Sequence, residues 1–170
     1  LHKVTQREYL TMSGINPSSF RAPNSAALRD IEISSCEIPV DSVSWYDCIA
    51  FCNALSIREE LTAYYAFVGD ILRWGDGSIS SADVRVVGGD GYRLMTSAEW
   101  EYAYRAGSTS LYFYGNSREM VTGRHLSLGR PITREGSNNF GVFDLDSEYR
   151  EWCFDANCHD SYKKLEGQVV

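Results

Sequence analysis

The sequence lacks the features that mark several large classes of protein. It has no run of about twenty apolar residues, and no basic start followed by an apolar stretch, so it predicts neither a membrane-spanning helix nor a secretion signal. No internal repeat, low-complexity tract or shift in composition divides it. We therefore expect a single domain over residues 1–170, without insertion into a membrane.

Positive charge is also scarce. Lysine and arginine number 16 against 23 aspartates and glutamates, which leaves a net charge of −7. An acidic field repels phosphate groups, so the composition argues against nucleic acid as a partner and against anionic membranes. This charge fits a bacterial cytoplasmic protein and an exported one equally well, and the compartment stays open.

The five cysteines are too few and too unevenly spread for a disulfide-stabilised scaffold. They are Cys36, Cys48, Cys52, Cys153 and Cys158. Cys48 and Cys52 lie four residues apart in an apolar pattern of helical period. This favours two small core residues over a metal pair, which would need two more ligands from elsewhere.

What the chain does contain is apolar material for a core, with 44% hydrophobic and 13% aromatic residues. Three segments share a helix-start pattern, in which a hydroxyl residue caps free backbone amides and an acid follows three residues later. These segments are Thr5 to Glu8, Ser44 to Asp47 and Thr96 to Glu99. Each predicts the start of an α-helix. The second continues as an apolar stripe of Trp45, Cys48, Ile49, Cys52 and Leu55.

Short strands are predicted between the second and third helices, over residues 64–68 and 81–87. Turn signals at Gly69-Asp70 and at residues 75–77 separate them. Later in the chain, short aromatic pieces alternate with glycine, serine and asparagine, so we expect a loop-rich remainder with short strands. The aromatic pieces are residues 111–114 and 140–143.

Four stretches, taken in order, resemble the formylglycine-generating enzyme family, also called the sulfatase-modifying-factor domain. They are VTQREYLTMSGINPSSF (4–20), PVDSVSWYDCIAFCNALSIREELTAYY (39–65), GYRLMTSAEWEYAYRAGSTSLYFYG (91–115) and NNFGVFDLDSEYREWC (138–153). The resemblance covers nearly the whole chain. It implies an α+β domain, the formylglycine-generating-enzyme variant of the C-type-lectin-like fold, with low regular secondary structure, three helices and small antiparallel sheets.

Residues 91–107, GYRLMTSAEWEYAYRAG, are here called the frame segment. The resemblance implies a framework element and not the wall of an active site. Its helix presents an apolar stripe of Trp100, Ala103, Tyr104 and Gly107. The resemblance implies that the helix buries its tryptophan and alanine face, and that Arg93, Glu99 and Arg105 bind loop carbonyls or each other. The frame segment thus predicts the fold and says almost nothing about chemistry.

Active members of the family oxidise a cysteine of a client sulfatase to formylglycine, with copper held by two cysteines late in the chain. The resemblance implies that these sulfur ligands would lie beyond Gln168-Val-Val170, so we expect no oxidase activity from the 170 residues.

Cys153 and Cys158 repeat the spacing of that pair of copper ligands, with His159 beside them, but they belong to an earlier element. We interpret them as a structural pair, free or disulfide-bonded. The histidines interpreted as surface side chains are His2 and His125.

The family's calcium element matches residues 147–152 only in part, with Glu151 and Trp152 in place. The acids here offer hard oxygens, of which calcium takes about six to eight. The predicted metal ligands are Asp146, Glu148, Tyr149 and Glu151, with Asp144 as a further acid. Arg150 offers an alternative, because it is able to pair with the same acids. We expect either a calcium site or a salt-bridged or solvated acidic loop.

Two classes of function follow. The first is a non-catalytic binding or display module, whose loops bind a protein, peptide or glycan. Its candidate ligand-binding residues are Tyr149 and Arg150, then Tyr112 and Tyr114, with Phe113 and Tyr162 as further aromatics. The alternative is a fragment of a copper-dependent formylglycine-generating oxidase, whose active segment lies outside this chain. A third possibility is a structural subunit that completes its core with a partner's strands.

Overall fold

The computed structural model describes residues 1–20, 37–117, 128–132, 136–145 and 149–155. The elements in these ranges are α1 (Gln6–Ser13), α2 (Trp45–Arg58), β1 (Tyr65–Arg73), β2 (Ile79–Val86) and α3 (Ser97–Arg105). The two strands form one antiparallel sheet. The α+β class and three helices are thus confirmed. Among the described helices, none has the length and apolar character needed to span a bilayer.

Each helix begins at the predicted place with a capping box. Before α2, the Ser44 hydroxyl accepts a hydrogen bond from the Asp47 amide at 3.1 Å, and the Asp47 carboxylate accepts one from the Ser44 amide at 2.9 Å. The other two boxes are formed by Thr5 with Glu8 and by Thr96 with Glu99. These reciprocal bonds satisfy amides that have no partner within the helix, so local sequence fixes all three starts.

The hairpin of β1 and β2 differs from the prediction at Gly69-Asp70. These residues were expected to form a turn, but they lie inside β1, where the register shifts between Val68 and Leu72. The prediction is wrong because Gly69, with a φ of 73°, accommodates an irregularity in the pairing without reversing the chain. The reversal comes later, where the Gly77 amide donates to the Trp74 carbonyl at 3.0 Å.

The core lies between α2 and the hairpin. Its buried centre is Ile49, Cys52 and Tyr65, which are 0%, 9% and 2% exposed. The Tyr65 hydroxyl accepts a hydrogen bond from the Leu94 amide at 3.1 Å, so the buried ring keeps a polar partner. Half-buried residues pack around this centre, namely Trp45, Tyr64, Phe67, Val84, Leu94 and Phe154. Of the apolar stripe predicted for α2, Trp45, Ile49 and Cys52 therefore face this core.

The frame segment is held by its own charges, as predicted. Arg93 donates to both carboxylate oxygens of Glu99 at 2.8 and 2.7 Å, and the Thr96 amide donates to the same carboxylate at 2.9 Å. These hydrogen bonds, that of Arg93 first, lower the pKa of Glu99 to about 2. Arg105 donates to the Ser110 carbonyl at 2.9 Å and fixes the loop that follows α3.

The buried residue of α3 lies on its predicted stripe. Tyr104 is buried, while Trp100 and Ala103 are only half-buried. Trp100 stacks on Tyr104, with ring centroids 5.1 Å apart. Tyr104 is therefore buried more deeply than the tryptophan and alanine that were expected to form the buried face.

Neither short aromatic piece of the later chain forms a strand. Residues 111–114 belong to a tight turn, closed by two backbone hydrogen bonds between Tyr112 and Gly115 at 2.9 and 3.2 Å. Residues 140–143 pass through a turn in which the Gly141 amide donates to the Asn138 carbonyl at 2.9 Å. Glycines with positive φ let the chain reverse before a strand can extend.

Candidate functional site

The four residues predicted to bind a ligand fall into two groups. Tyr112 and Tyr114 stack on each other, with ring centroids 5.2 Å apart and planes 3° from parallel. Tyr149 packs edge-on against Phe20, with centroids 6.4 Å apart. Because their ring contacts lie in different parts of the fold, these residues are better treated as two candidate surfaces than as one.

Tyr149 uses its polar end to hold loops together. Its hydroxyl accepts a hydrogen bond from the Gly129 amide at 2.7 Å, and burial raises the pKa of this hydroxyl. Arg150 is exposed and makes no ion pair or hydrogen bond with the described part of the chain. Of this group, Arg150 is therefore the side chain open to solvent, while Tyr149 carries a structural contact.

Tyr112 and Tyr114 belong to a larger set of aromatic residues at the C-terminal end of α3. Phe113, between them, packs edge-on against the buried Tyr104 with centroids 5.4 Å apart. It also contacts Tyr114 at 4.9 Å. Phe113 thus anchors the turn to α3, as a core contact would, and the stacked tyrosines on either side of it are half-buried.

Tyr102 and Phe140 form an exposed aromatic pair beside the same helix. Their ring centroids are 5.5 Å apart, and they are 70% and 49% exposed. Leu111, which is 71% exposed, lies at the start of the neighbouring turn. We define the α3 aromatic surface as the exposed pair Tyr102 and Phe140 together with three residues of the turn that follows α3, namely the exposed Leu111 and the half-buried Tyr112 and Tyr114.

Asn138 fixes the loop that carries Phe140. It is 7% exposed, and its side-chain amide donates to the carbonyls of Ala103 and Tyr104 at 2.6 and 3.0 Å. Its side-chain oxygen accepts from the amides of Phe140 and Val142 at 3.0 and 3.1 Å. One buried side chain therefore satisfies carbonyls near the end of α3 and holds the loop against them.

Glu151 of the predicted calcium element pairs with a lysine side chain from the start of the sequence. Lys3 Nζ lies 3.0 Å from a carboxylate oxygen of Glu151 and donates to the backbone carbonyl of Asp144. Asp146 and Glu148 lie outside the described residues, and the described ones hold no group of three or more His, Cys, Asp or Glu suited to a metal. In the described part of this element, the cation beside Glu151 is therefore the Lys3 ammonium.

The described segment around Cys153 has a structural role. The Trp45 indole donates to the Cys153 carbonyl at 3.0 Å, and the Phe154 amide donates to the Met95 carbonyl at 2.8 Å. The Asp155 carboxylate accepts hydrogen bonds from the Ser97 amide and hydroxyl, both at 2.6 Å. Residues 153–155 thus join the starts of α2 and α3. The other residues considered with this segment, Cys158 and His159, lie outside the described residues, as do Cys36, His125 and Tyr162.

Burial keeps the described thiols protonated. It raises the pKa of Cys48 to about 12 and that of Cys52 to about 11, and it also raises the pKa of Cys153. All three are free thiols. Because the thiolate is the form that reacts and binds metals, we expect Cys48 and Cys52 to react slowly in the folded protein.

We expect iodoacetamide at pH 8 to modify Cys48 and Cys52 at least about a hundredfold more slowly in the native protein than in urea, since a raised pKa lowers the thiolate fraction. The measurement is mass spectrometry of peptides after timed alkylation. The same peptides from urea-unfolded protein provide the reference rate. Equal rates in the two states would show that these thiols are not held in the core.

A small cleft lies between α1, α2 and the hairpin. Its volume is about 170 Å³, and its lining includes Tyr9, Phe51, Arg73 and Asp47. Cofactor and drug-sized ligands usually occupy about 300 to 1,000 Å³. Both carboxylate oxygens of Asp47 are already engaged, one by Ser44 and one by the Ile79 amide at 2.8 Å. We therefore place no ligand in this cleft.

Three of the features described above were missed by the sequence analysis. Tyr102 lies two positions from Trp100, off the apolar stripe of α3, and this helical position was a signal for its exposure. Trp74, 63% exposed, directly precedes the turn signal at Gly75, where an outward aromatic was predictable. Lys3 gave no such signal, because its partners are distant in the sequence.

The family model for the sulfatase-modifying factor enzyme 1-like domain matches residues 2–170. The chaperone protein LppX of Paenibacillus barcinonensis is 28% identical over 192 residues, covering 93% of this chain and 61% of that protein. Treponema denticola variable protein 1 has a TM-score of 0.66 at 24% identity, over 89% of this chain and 59% of its own. CarF has a TM-score of 0.56 at 23% identity, over 88% and 67%.

These comparisons differ in what they show. The two solved structures, at identities of 24% and 23%, show the fold alone. The chain spans about three-fifths of the length of LppX and of the Treponema protein. The family model, in contrast, covers nearly every residue, including the four stretches that carried the resemblance. The chain belongs to the sulfatase-modifying factor family.

Proposed function

We propose that this chain is a binding module on a sulfatase-modifying-factor scaffold, and that the α3 aromatic surface binds apolar segments of another protein. One observation carries the proposal, namely the contact between the exposed rings of Tyr102 and Phe140, at 70% and 49% exposure. Leu111, in the turn that follows α3, is 71% exposed. Large apolar side chains grouped on the outside of a domain commonly mark a surface that meets another molecule.

The surface is built to bind without much reordering. Phe140 is held by the buried Asn138, and Tyr114 is held through Phe113 against Tyr104. Aromatic side chains bring large contact area with few rotatable bonds, so a rigid set of them loses little entropy on binding. This pre-organisation supports a role for these residues as a binding surface, as opposed to an apolar patch without a function.

The class of ligand follows from this chemistry and from one relative. Exposed rings and a leucine suit an extended apolar segment, and the net charge of −7 disfavours acidic ligands. LppX, at 28% identity, carries the name of a chaperone protein, which supports a protein as the ligand. Peptides and glycans, the other predicted ligand classes, serve as comparison arms of the test.

The test measures binding of fluorescently labelled, reduced and carboxymethylated α-lactalbumin, a permanently unfolded protein, by fluorescence anisotropy. We expect the double substitution Tyr102→Ser with Phe140→Ser to raise Kd by about tenfold or more, because it removes two exposed rings from the contact. A labelled apolar peptide and a neutral oligosaccharide form the other arms, and we expect the peptide to bind and the sugar not to.

The matched control lies on the hairpin. Leu72→Ser with Trp74→Ser also removes two exposed apolar side chains, which are 59% and 63% exposed, and should leave Kd within about twofold. Circular dichroism confirms that both variants fold. Loss of binding in the hairpin variant alone, binding of the oligosaccharide alone, or no binding by the unaltered chain would each refute the proposal.

A further inference from the structure

Lys3 is a lysine held almost out of solvent. Its side chain is 7% exposed, whereas lysines in folded proteins rarely lose water unless they are paired. The ammonium lies 3.0 Å from Glu151, which is 28% exposed, and also donates to the Asp144 carbonyl. One charge and one carbonyl dipole therefore replace water around this cation.

The backbone places Lys3 there from two directions. The Phe143 amide donates to the Leu1 carbonyl at 3.1 Å, and the Leu1 backbone nitrogen donates to the Gly141 carbonyl at 3.2 Å. On the other side of Lys3, the Val40 amide donates to the Val4 carbonyl at 2.9 Å. Residues 1–4 are thus fixed to two loops. The position of Lys3 is therefore set by backbone hydrogen bonds of its neighbours, and not by its own side chain.

Asp144 contributes its carbonyl through an unusual backbone conformation. Its φ is 62°, in the left-handed region that residues other than glycine seldom adopt. The Lys3 ammonium thus binds the backbone carbonyl of Asp144 and the side chain of Glu151.

We propose that the Lys3 ammonium is the resident cation of the position in which the family resemblance predicts calcium, so that this chain uses its own side chain there in place of a metal. A calcium ion bound to the Glu151 carboxylate would lie a few ångströms from the ammonium, and the two positive charges would repel each other strongly in a site with little water. Arg150, the cation suggested by the sequence, is not the one that pairs with Glu151.

The experiment uses the full chain and calcium alone as the probe. Thermal unfolding is followed in millimolar calcium chloride and in chelator, and calcium binding is measured separately by isothermal titration calorimetry. We expect the unaltered chain to show the same Tm in both solutions and no heat of binding, because Lys3 fills the site. We expect Lys3→Met, which keeps the apolar stem, to lower Tm in chelator by about 4 °C or more and to gain a calcium-dependent rise.

The matched control is Arg7→Met. Arg7 forms an ion pair with Glu37 in which the side chains are 52% and 51% exposed, so its loss should change Tm by less than about 2 °C and create no response to calcium. Stabilisation of the unaltered chain by calcium, or a Lys3→Met variant that ignores calcium, would overturn the proposal.

Glu151→Gln keeps the proposal testable if Lys3→Met does not fold. This variant retains an oxygen for Lys3 but removes the negative charge, so we expect a lower Tm than that of the unaltered chain in both solutions. The matched control is Glu37→Gln, which removes the acid of the exposed pair with Arg7 and should lower Tm by less than about 2 °C. A Glu151→Gln variant that loses no more Tm than Glu37→Gln would overturn the pairing of Lys3 with Glu151.

Discussion

The Gly91→Ala variant is expected to lose about 3 kcal/mol or more of its free energy of unfolding. A β-carbon at this position would lie 2.3 Å from the Ser56 hydroxyl and 2.5 Å from the Thr62 carbonyl oxygen. Ser56 is fully buried and cannot move aside without giving up its hydrogen bonds to the Cys52 carbonyl and the Tyr92 amide, at 2.7 and 2.8 Å.

The same substitution also threatens a backbone contact. The Gly91 amide donates a hydrogen bond to the Thr62 carbonyl at 2.9 Å, at the start of the frame segment. The new methyl group would clash with this same carbonyl oxygen. Relief of the clash therefore breaks the hydrogen bond. This is the physical reason for glycine at the start of the frame segment.

Urea denaturation followed by circular dichroism measures the loss at Gly91. Gly75→Ala is the matched control, since no heavy atom lies within 4 Å of its added carbon, and we expect a change within about 0.5 kcal/mol. A Gly91→Ala variant as stable as Gly75→Ala would mean that the approach of Ser56 and Thr62 to Gly91 is not as the structure shows.

The Asp47→Ala variant is expected to lose about 3 kcal/mol, because one carboxylate serves two elements. One oxygen caps α2 by accepting from the Ser44 amide and hydroxyl at 2.9 and 2.8 Å. The other accepts from the Ile79 amide at 2.8 Å, at the first residue of β2. Asp47 is 4% exposed, so both sets of donors would be left without water as a substitute.

Chemical denaturation of the variants separates the two roles of Asp47. Asp47→Asn retains one oxygen acceptor and should lose less than Asp47→Ala, while Ser44→Ala should lose only the cap, about 1 kcal/mol. Asp83→Ala on β2 removes an exposed acid and should be close to neutral. A loss for Asp47→Ala no larger than that for Ser44→Ala would contradict the bond to Ile79.

The parts of the fold that could be predicted are those with local causes. The helix starts at Thr5, Ser44 and Thr96 depend on residues three positions away, and each was confirmed. The pairing of Arg93 with Glu99 spans six residues. In contrast, Gly69 can either end a strand in a turn or only distort it. Which of the two occurs depends on the pairing of β1 with β2, and no local sequence pattern predicts that pairing.

The candidate site was predictable only in part, for the same reason. Tyr112 and Tyr114 were predicted as ligand-binding residues, but the loop of Phe140 is held against α3 by Asn138, which is distant in the sequence. The contact of Lys3 with Asp144 joins residues 141 positions apart. Tyr149 was also predicted as a ligand-binding residue, yet its hydroxyl is bound by the Gly129 amide. Such contacts emerge from tertiary packing.

The most direct test of the proposed function is a hydrogen-exchange footprint of the chain bound to reduced, carboxymethylated α-lactalbumin. Backbone amides that the ligand covers or rigidifies exchange more slowly, and mass spectrometry of peptides locates them. We predict that protection is greatest in residues 100–114 and 137–143, which carry the α3 aromatic surface. Protection confined to the hairpin residues 71–78, or none in any peptide under saturating ligand, would contradict the account.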